Sequence, residues 1–420
     1  MGTSPSMNIP IENDDRREAY FLYALGFLFL PVAVLATAQV WVLAVVGVLG
    51  ILAVRAIQDR LALKPNWPLV LLMLLLVGWA LISSFWAINP DRAVKTSLRI
   101  ALVCISVIVL VDAAKMLDPQ QRWKFGYWLI GGTVTGLVLT GILVLWGGPV
   151  STWLGETRLA ADDLSNLNRT STVIALLVWP VALIVARTYN RLAAAAVIIL
   201  SALLLFALAP STPLVAFTVG LLAFIIAWVS QRWGKRVLFL AFAGAVVMIP
   251  LIDFLAPPAI DFLAANLRFP HSEIHRLVIW KFAAERIFEH PLFGWGLDAS
   301  RAIPGNNEQL FLFHFGGTPE TGQALPLHPH NALSQIWLEL GIVGVILVGA
   351  IFALIVFSIP RSSDNRAGPA ALIATTACAF TIAQLGFGIW QGWWMATLGL
   401  TVMIAVATGT SPPVRQKRPD

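Results

Sequence analysis

The feature that most constrains this chain is a series of apolar runs, each about 20 residues long, that fill most of its 420 residues. A run of that length crosses the hydrocarbon core of a bilayer as a helix. The helix satisfies the backbone N–H and C=O groups that lipid cannot. Twelve spans follow, at 20–37, 39–57, 67–87, 99–115, 124–147, 170–187, 192–209, 212–230, 236–256, 331–359, 368–387 and 390–408, punctuated by Pro, Gly and charge clusters. Charged residues make up only 12% of the chain, against about 25% in a soluble domain. Many of the 17 tryptophans stand near the ends of the runs, as interfacial belts require.

The predicted fold is an all-α polytopic membrane protein of about twelve helices, with a large helical outer loop between spans nine and ten. Residues 1–256 form the first membrane part, 257–330 the outer loop, 331–408 the last three spans and 409–420 a tail. No cleavable signal peptide is expected, because Ile11-Glu12-Asn13-Asp14-Asp15-Arg16-Arg17 is polar and the first apolar run is long enough to span.

Placing the N-terminus in the cytoplasm puts 18 of the 28 Lys and Arg residues on the inner side, so the positive-inside rule predicts cytoplasmic termini. The net charge of +6 is then a topology signal and a fit to anionic membrane lipids, not a nucleic-acid surface. Segments 88–98, 148–169 and 257–330 lie outside. Cys104 and Cys378 fall within spans, so no disulfide framework is expected in these segments.

All six histidines lie between His271 and His330. Histidine is the side chain whose ordinary pKa suits proton transfer near neutral pH, so the outer segment is where chemistry is expected. Residues 272–291 read as a helix, with Ser272 as N-cap and Pro291 as the stop. At 100° per residue Leu277, Trp280, Ala283, Ala284, Ile287 and Phe288 share its apolar face. Arg276 breaks the pattern on the apolar flank. It reads either as a salt bridge or snorkelling stem, or as a guanidinium aimed at phosphate. His330 opens the tenth span, above a face carrying Gly341 and Gly344 that reads as a close helix-packing surface. Arg169 stands at the outer edge of the sixth span, where the alternative to a binding role is an interfacial anchor. His328 and His330 with Asp298 make a poor zinc set, and no metal or cofactor is expected.

His330-Asn331, nine residues, Gly341, two residues and Gly344 form a pattern that resembles the signature of O-antigen ligases. Arg276, Trp280 and His290-Pro291-Leu292-Phe293-Gly294-Trp295-Gly296 resemble the long loop of the wider ligase and O-antigen polymerase superfamily. The resemblance implies a metal-independent, inverting glycosyltransferase of the inner membrane, with a fold related to the GT-C class and its site facing the periplasm. The donor would be O-antigen on undecaprenyl diphosphate, and the acceptor a sugar hydroxyl of the lipid A–core. His330 matches the family's essential histidine, as general base. Arg276 matches an arginine that holds the diphosphate. Arg169 and Arg158 join that clamp by position, Asn331 orients His330, and His328 supports it.

Within the same resemblance stand an O-antigen polymerase and a protein O-oligosaccharyltransferase. A transporter fits less well. Transporters carry ionisable residues near the midplane, and here Glu339 is the main one. A non-catalytic scaffold is the remaining alternative.

Overall fold

The computed structural model describes residues 17–153, 162–208, 211–266, 271–315 and 318–409. Nine helices come first: α1 (Glu18–Ala36), α2 (Val40–Ile57), α3 (Trp67–Ile82), α4 (Pro90–Lys115), α5 (Pro119–Trp153), α6 (Asp162–Thr188), α7 (Arg191–Leu208), α8 (Ser211–Val229) and α9 (Gln231–Asn266). The polar segment supplies α10 (His271–Glu289) and an antiparallel hairpin of β1 (Gln309–Phe315) and β2 (Thr318–Gln323). The helices α11 (Ala332–Ser358), α12 (Ala367–Leu385) and α13 (Gly392–Gly409) complete the bundle.

Local chemistry sets several boundaries. Asn66, Asn89 and Asn331 cap α3, α4 and α11, each side chain accepting an amide hydrogen bond three residues on (Leu69 at 3.3 Å, Arg92 at 3.1 Å and Ser334 at 2.9 Å). Pro68 and Pro90 stand in first turns, where the missing N–H costs nothing.

Among the described residues, eleven stretches are long and apolar enough to cross a membrane. The first, Glu18–Ile57, is 40 residues long and breaks at Ala36 (φ −154°) into α1 and α2, which pack on each other. Each of the twelve apolar runs therefore has its own helix, and the fold is that of an all-α polytopic membrane protein. The centre is α6, in which every residue from Thr170 to Val185 is buried, packed against α1, α5, α7, α8, α12 and α13. A helix apolar on every side belongs inside a bundle.

Three expectations need correction. The segment from 257 does not open as a loop separate from the ninth span, because α9 runs on through Pro250, Pro257 and Pro258 to Asn266. Proline's fixed φ is itself helical, and the extension is held by packing: Ile260 and Leu263 lie against Ile274, Val278, Leu312 and Phe313. Much of 148–169 is likewise helical, in α5 and α6. The polar segment is also not wholly helical, since the hairpin covers one side of α10.

That cover changes the buried face of α10. Ile274, Val278, Ile279, Phe282, Ala283, Ala284 and Ile287 are buried, while Phe288 is 58% exposed. One flank meets the hairpin and α9; the other meets Phe242 of α9, and Leu333 and Leu338 of α11. A single apolar stripe does not describe a helix sandwiched from two sides.

Candidate active site

The site is organised by a break in α11. Gly341 has φ 67° and ψ −170°, outside the helical region, and it opens the ladder to a neighbouring segment. The stretch from Pro291 to Gly296 crosses there. The Trp295 and Gly296 amides donate to the Leu338 and Glu339 carbonyls, both at 2.9 Å, and the Ile342 amide donates to Pro291 O at 3.0 Å. The Trp79 indole donates to Leu340 O at 2.9 Å. A Cβ on Gly341 would lie 2.1 Å from Leu292 O, and one on Gly294 (φ 72°) 2.5 Å from the Glu339 carbonyl carbon. Only glycine permits that backbone approach.

This corrects the helix-packing role given to Gly341 and Gly344. Gly341 faces loop backbone rather than another helix. A Cβ on Gly344 would meet Leu340 and Ile336 of its own helix.

Two residues before the break, Glu339 is fully buried and accepts four hydrogen bonds. They come from the Asp298 amide (2.7 Å), the Trp390 indole (2.6 Å), the Gln335 side chain (3.1 Å) and the Ser300 hydroxyl. It therefore joins α11 to the 298–300 turn and to the α12–α13 connection, residues 386–391. The Gln335 oxygen accepts from the Ile389 amide at 3.0 Å and fixes that connection a second time.

The connection in turn holds both histidines. Nδ1 of His330 lies 2.7 Å from Gly386 O. A carbonyl only accepts, so Nδ1 carries the proton and Nε2 keeps its lone pair. Among the described residues no protein group takes that lone pair. His330 is also one of three non-glycine residues with positive φ among the described residues, at 53°. Backbone strain of this kind persists only where surrounding structure enforces it. Here Asn331 caps α11 on one side, and the Trp280 indole grips Pro329 O at 2.8 Å on the other.

His328 sits with its ring centroid 4.2 Å from that of His330. The His330 amide faces its Nδ1 and the Gly388 amide its Nε2, both at 3.2 Å. The Gln391 nitrogen is also 3.2 Å from Nε2, since the Gln391 oxygen is taken by the Trp393 indole at 2.9 Å. An imidazolium, with two donors, would meet donors on both sides. Burial, reinforced by His330 and Arg301, pushes the His328 pKa down to about 3. His328 is thus a neutral spacer that carries the orientation of His330. Burial also lowers the His330 pKa, with the charges of Arg276 and His275 adding to it and the Gly386 carbonyl opposing.

Arg276 is half-buried, and desolvation lowers its pKa. Among the described residues no carboxylate pairs with it, so the salt-bridge reading does not hold. Its charge reaches His330. Arg169 is half-buried at the start of the packed part of α6, its guanidinium 5.6 Å from the centroid of the Trp393 ring. Arg158 lies outside the described residues. Asn331 does not orient the His330 ring as expected: its side chain caps α11, and the Gly386 carbonyl does the orienting.

Sequence reading missed Glu339 as a framework residue, and missed Gln335 and the whole 386–391 connection. The available signals were a carboxylate inside an apolar span and the Gly386-Phe387-Gly388 and Gln391-Gly392 pairs between two spans.

Comparison with known proteins bears out the resemblance. Residues 195–349 match the family model described as O-Antigen ligase. The chain is similar to candidate polysaccharide ligases of Rickettsia felis (27% identical over 81% of this chain and 80% of the relative) and Rickettsia bellii (27%, with the same coverage). A further one from Rickettsia conorii is 26% identical over the same shares.

Proposed function

We propose that this protein is a membrane polysaccharide ligase, an inverting glycosyltransferase that moves O-antigen from undecaprenyl diphosphate to a hydroxyl of the lipid A–core. Its termini face the cytoplasm, and its site opens to the periplasmic side of the bacterial inner membrane. The observation that carries the reading is His330, with Nδ1 tied to a carbonyl, and with Nε2 unpartnered and Arg276 unpaired among the described residues, Arg276 being near enough to act on it.

In this reading the acceptor oxygen attacks the anomeric carbon while Nε2 of His330 takes its proton. The bond from that carbon to the diphosphate oxygen breaks on the opposite face, and the electron pair leaves with the diphosphate. Arg276 and Arg169 stabilise the charge that develops there, as planar guanidinium forks do for phosphate oxygens. Desolvation supports both roles: it keeps His330 neutral and ready to accept a proton, and it strengthens the field of Arg276.

The test is transfer by purified protein, given undecaprenyl-diphosphate-linked glycan and lipid A–core, without nucleotide or added metal. Glycan on the lipid A–core is the expected product. Glycan that lengthens on the lipid diphosphate would make the protein a polymerase and overturn the reading.

A further inference from the structure

Beside the histidines lies a cleft of about 610 Å³ that the reaction above does not use. One wall is the first three turns of α4. Arg92, Lys95, Thr96 and Arg99 are spaced i, i+3, i+4 and i+7, and so share one helix face. Arg301 lines the cleft from the turn that follows Asp298. His328, Gln335 and Gly388 also line it, the same groups that hold the base in place.

The charges in this cleft do not cancel. Among the described residues that line it, Arg92, Lys95, Arg99 and Arg301 face only two carboxylates, Asp91 and Asp298. Asp298 is already engaged, accepting from Arg92 Nε at 3.1 Å and from the Thr96 hydroxyl at 3.0 Å. Arg99 reaches only the Trp390 carbonyl, at 3.4 Å. Lys95 and Arg301 have no ion-pair partner among the described residues. Collecting four like charges around one concavity is unfavourable unless an anion enters it. The volume suits a few sugar rings.

We propose that this cleft binds a phosphate group carried on the acceptor saccharide, and so holds the acceptor with its hydroxyl at His330. The assignment rests on the glycosyl-transfer reading. In an inverting displacement, the nucleophile and its base share the face opposite the leaving group. The cleft adjoins the base through the His328 ring, whereas Arg276 and Arg169 are left for the leaving diphosphate. Lys95 and Arg301 are exposed, and among the described residues neither side chain makes a hydrogen bond or ion pair, so they report on binding without disturbing the fold.

The experiment compares wild type with the double variant Lys95→Gln/Arg301→Gln, using native and chemically dephosphorylated lipid A–core. Kinetics and equilibrium binding to acceptor-containing nanodiscs are both read. With native acceptor the variant is expected to raise the acceptor KM and the acceptor Kd about tenfold or more, with the donor KM unchanged and a much smaller change in kcat. With dephosphorylated acceptor the two proteins should behave alike, wild type having lost its advantage. A variant defect that persists in full on the dephosphorylated acceptor overturns the proposal. A rise in the donor KM instead would assign the cleft to the donor diphosphate, which also overturns it. Wild type that binds native acceptor better than the variant, yet transfers nothing, would sink the ligase reading and leave the anion site standing.

Discussion

Two sets of cations at opposite ends of the bundle are treated in opposite ways. At the end away from the site, Arg55, Arg122 and Lys235 are matched. Arg55 on α2 is buried between Glu18 of α1 and Asp112 of α4, with Nη1 2.7 Å from Asp112. Arg122 gives hydrogen bonds to the Ala114, Lys115 and Leu117 carbonyls and to Val406 and Ala407 at the end of α13, at 2.9–3.3 Å. Lys235 donates to the carbonyls of Phe357 (3.2 Å) and Ile359 at the end of α11. These ends carry partial negative charge, so such cations are satisfied locally. At the site end, roughly 30 Å along α4 from Arg92 to Asp112, Arg276, Arg301 and Lys95 lack ionic partners among the described residues, and Arg169 has only the Trp393 ring. Matched cations build the protein; unmatched ones are left for a ligand.

The sharpest break in that comparison comes from the base. His330→Ala is expected to abolish transfer, by 10³-fold or more, while the protein still folds and inserts. Transfer near the wild-type rate would remove His330 from the mechanism. Its pH signature has a fixed sign. A lowered pKa keeps His330 unprotonated at neutral pH, so kcat/KM should fall only on acidification, with the acid limb below the ordinary value of about 6.5. Because Arg276 contributes to the lowering, Arg276→Gln should move the residual limb to higher pH. A limb that stays in place would separate the two residues.

Next in size is the unmatched arginine itself. Arg276→Ala and Arg276→Lys should both cost about 10²-fold or more, since lysine keeps the charge but lacks the bidentate fork. Activity retained by the lysine variant would reduce Arg276 to a general electrostatic role.

A smaller effect is expected at the framework. Gly341→Ala forces a Cβ against Leu292 O at a positive φ, a strain of about 1–3 kcal/mol. It should lower both the melting temperature and kcat by displacing the loop on which the 298–300 turn rests. Normal kcat with a lowered melting temperature would mean that the break matters for stability alone.

Smallest for catalysis, though not for folding, is the far end. Arg55→Ala leaves two buried carboxylates without their cation and should cost about 3–5 kcal/mol of stability. Activity per folded molecule should hardly change. A large fall in kcat for the folded fraction would show that the two ends are coupled, and the comparison would fail.

Much of this was legible in the sequence. The spans and the helix ending before Pro291 follow from length, periodicity and residue chemistry. The hairpin was also written there, in Leu310-Phe311-Leu312-Phe313-His314-Phe315 followed by Gly316-Gly317, a β-rich run with a turn signal.

Other features were not legible. Gly341 and Gly344 at helical spacing look like a packing seam, and nothing local says that Gly341 leaves the helix. Its φ is set by the segment from Pro291 to Gly296, about 45 residues earlier. Asn331 beside His330 looks like its orienting partner, yet the imidazole is held by Gly386, 56 residues on. By itself the sequence determined a multi-pass helical membrane protein with a histidine-bearing polar segment, because hydrophobic length and helical period are properties of one stretch of chain. Only the tertiary structure decided which nitrogen of His330 carries the proton, which cations lack a counter-ion and what the buried Glu339 ties together. Each of those depends on partners brought from 39 to 56 residues away, and spacing along the chain carries no record of such a meeting.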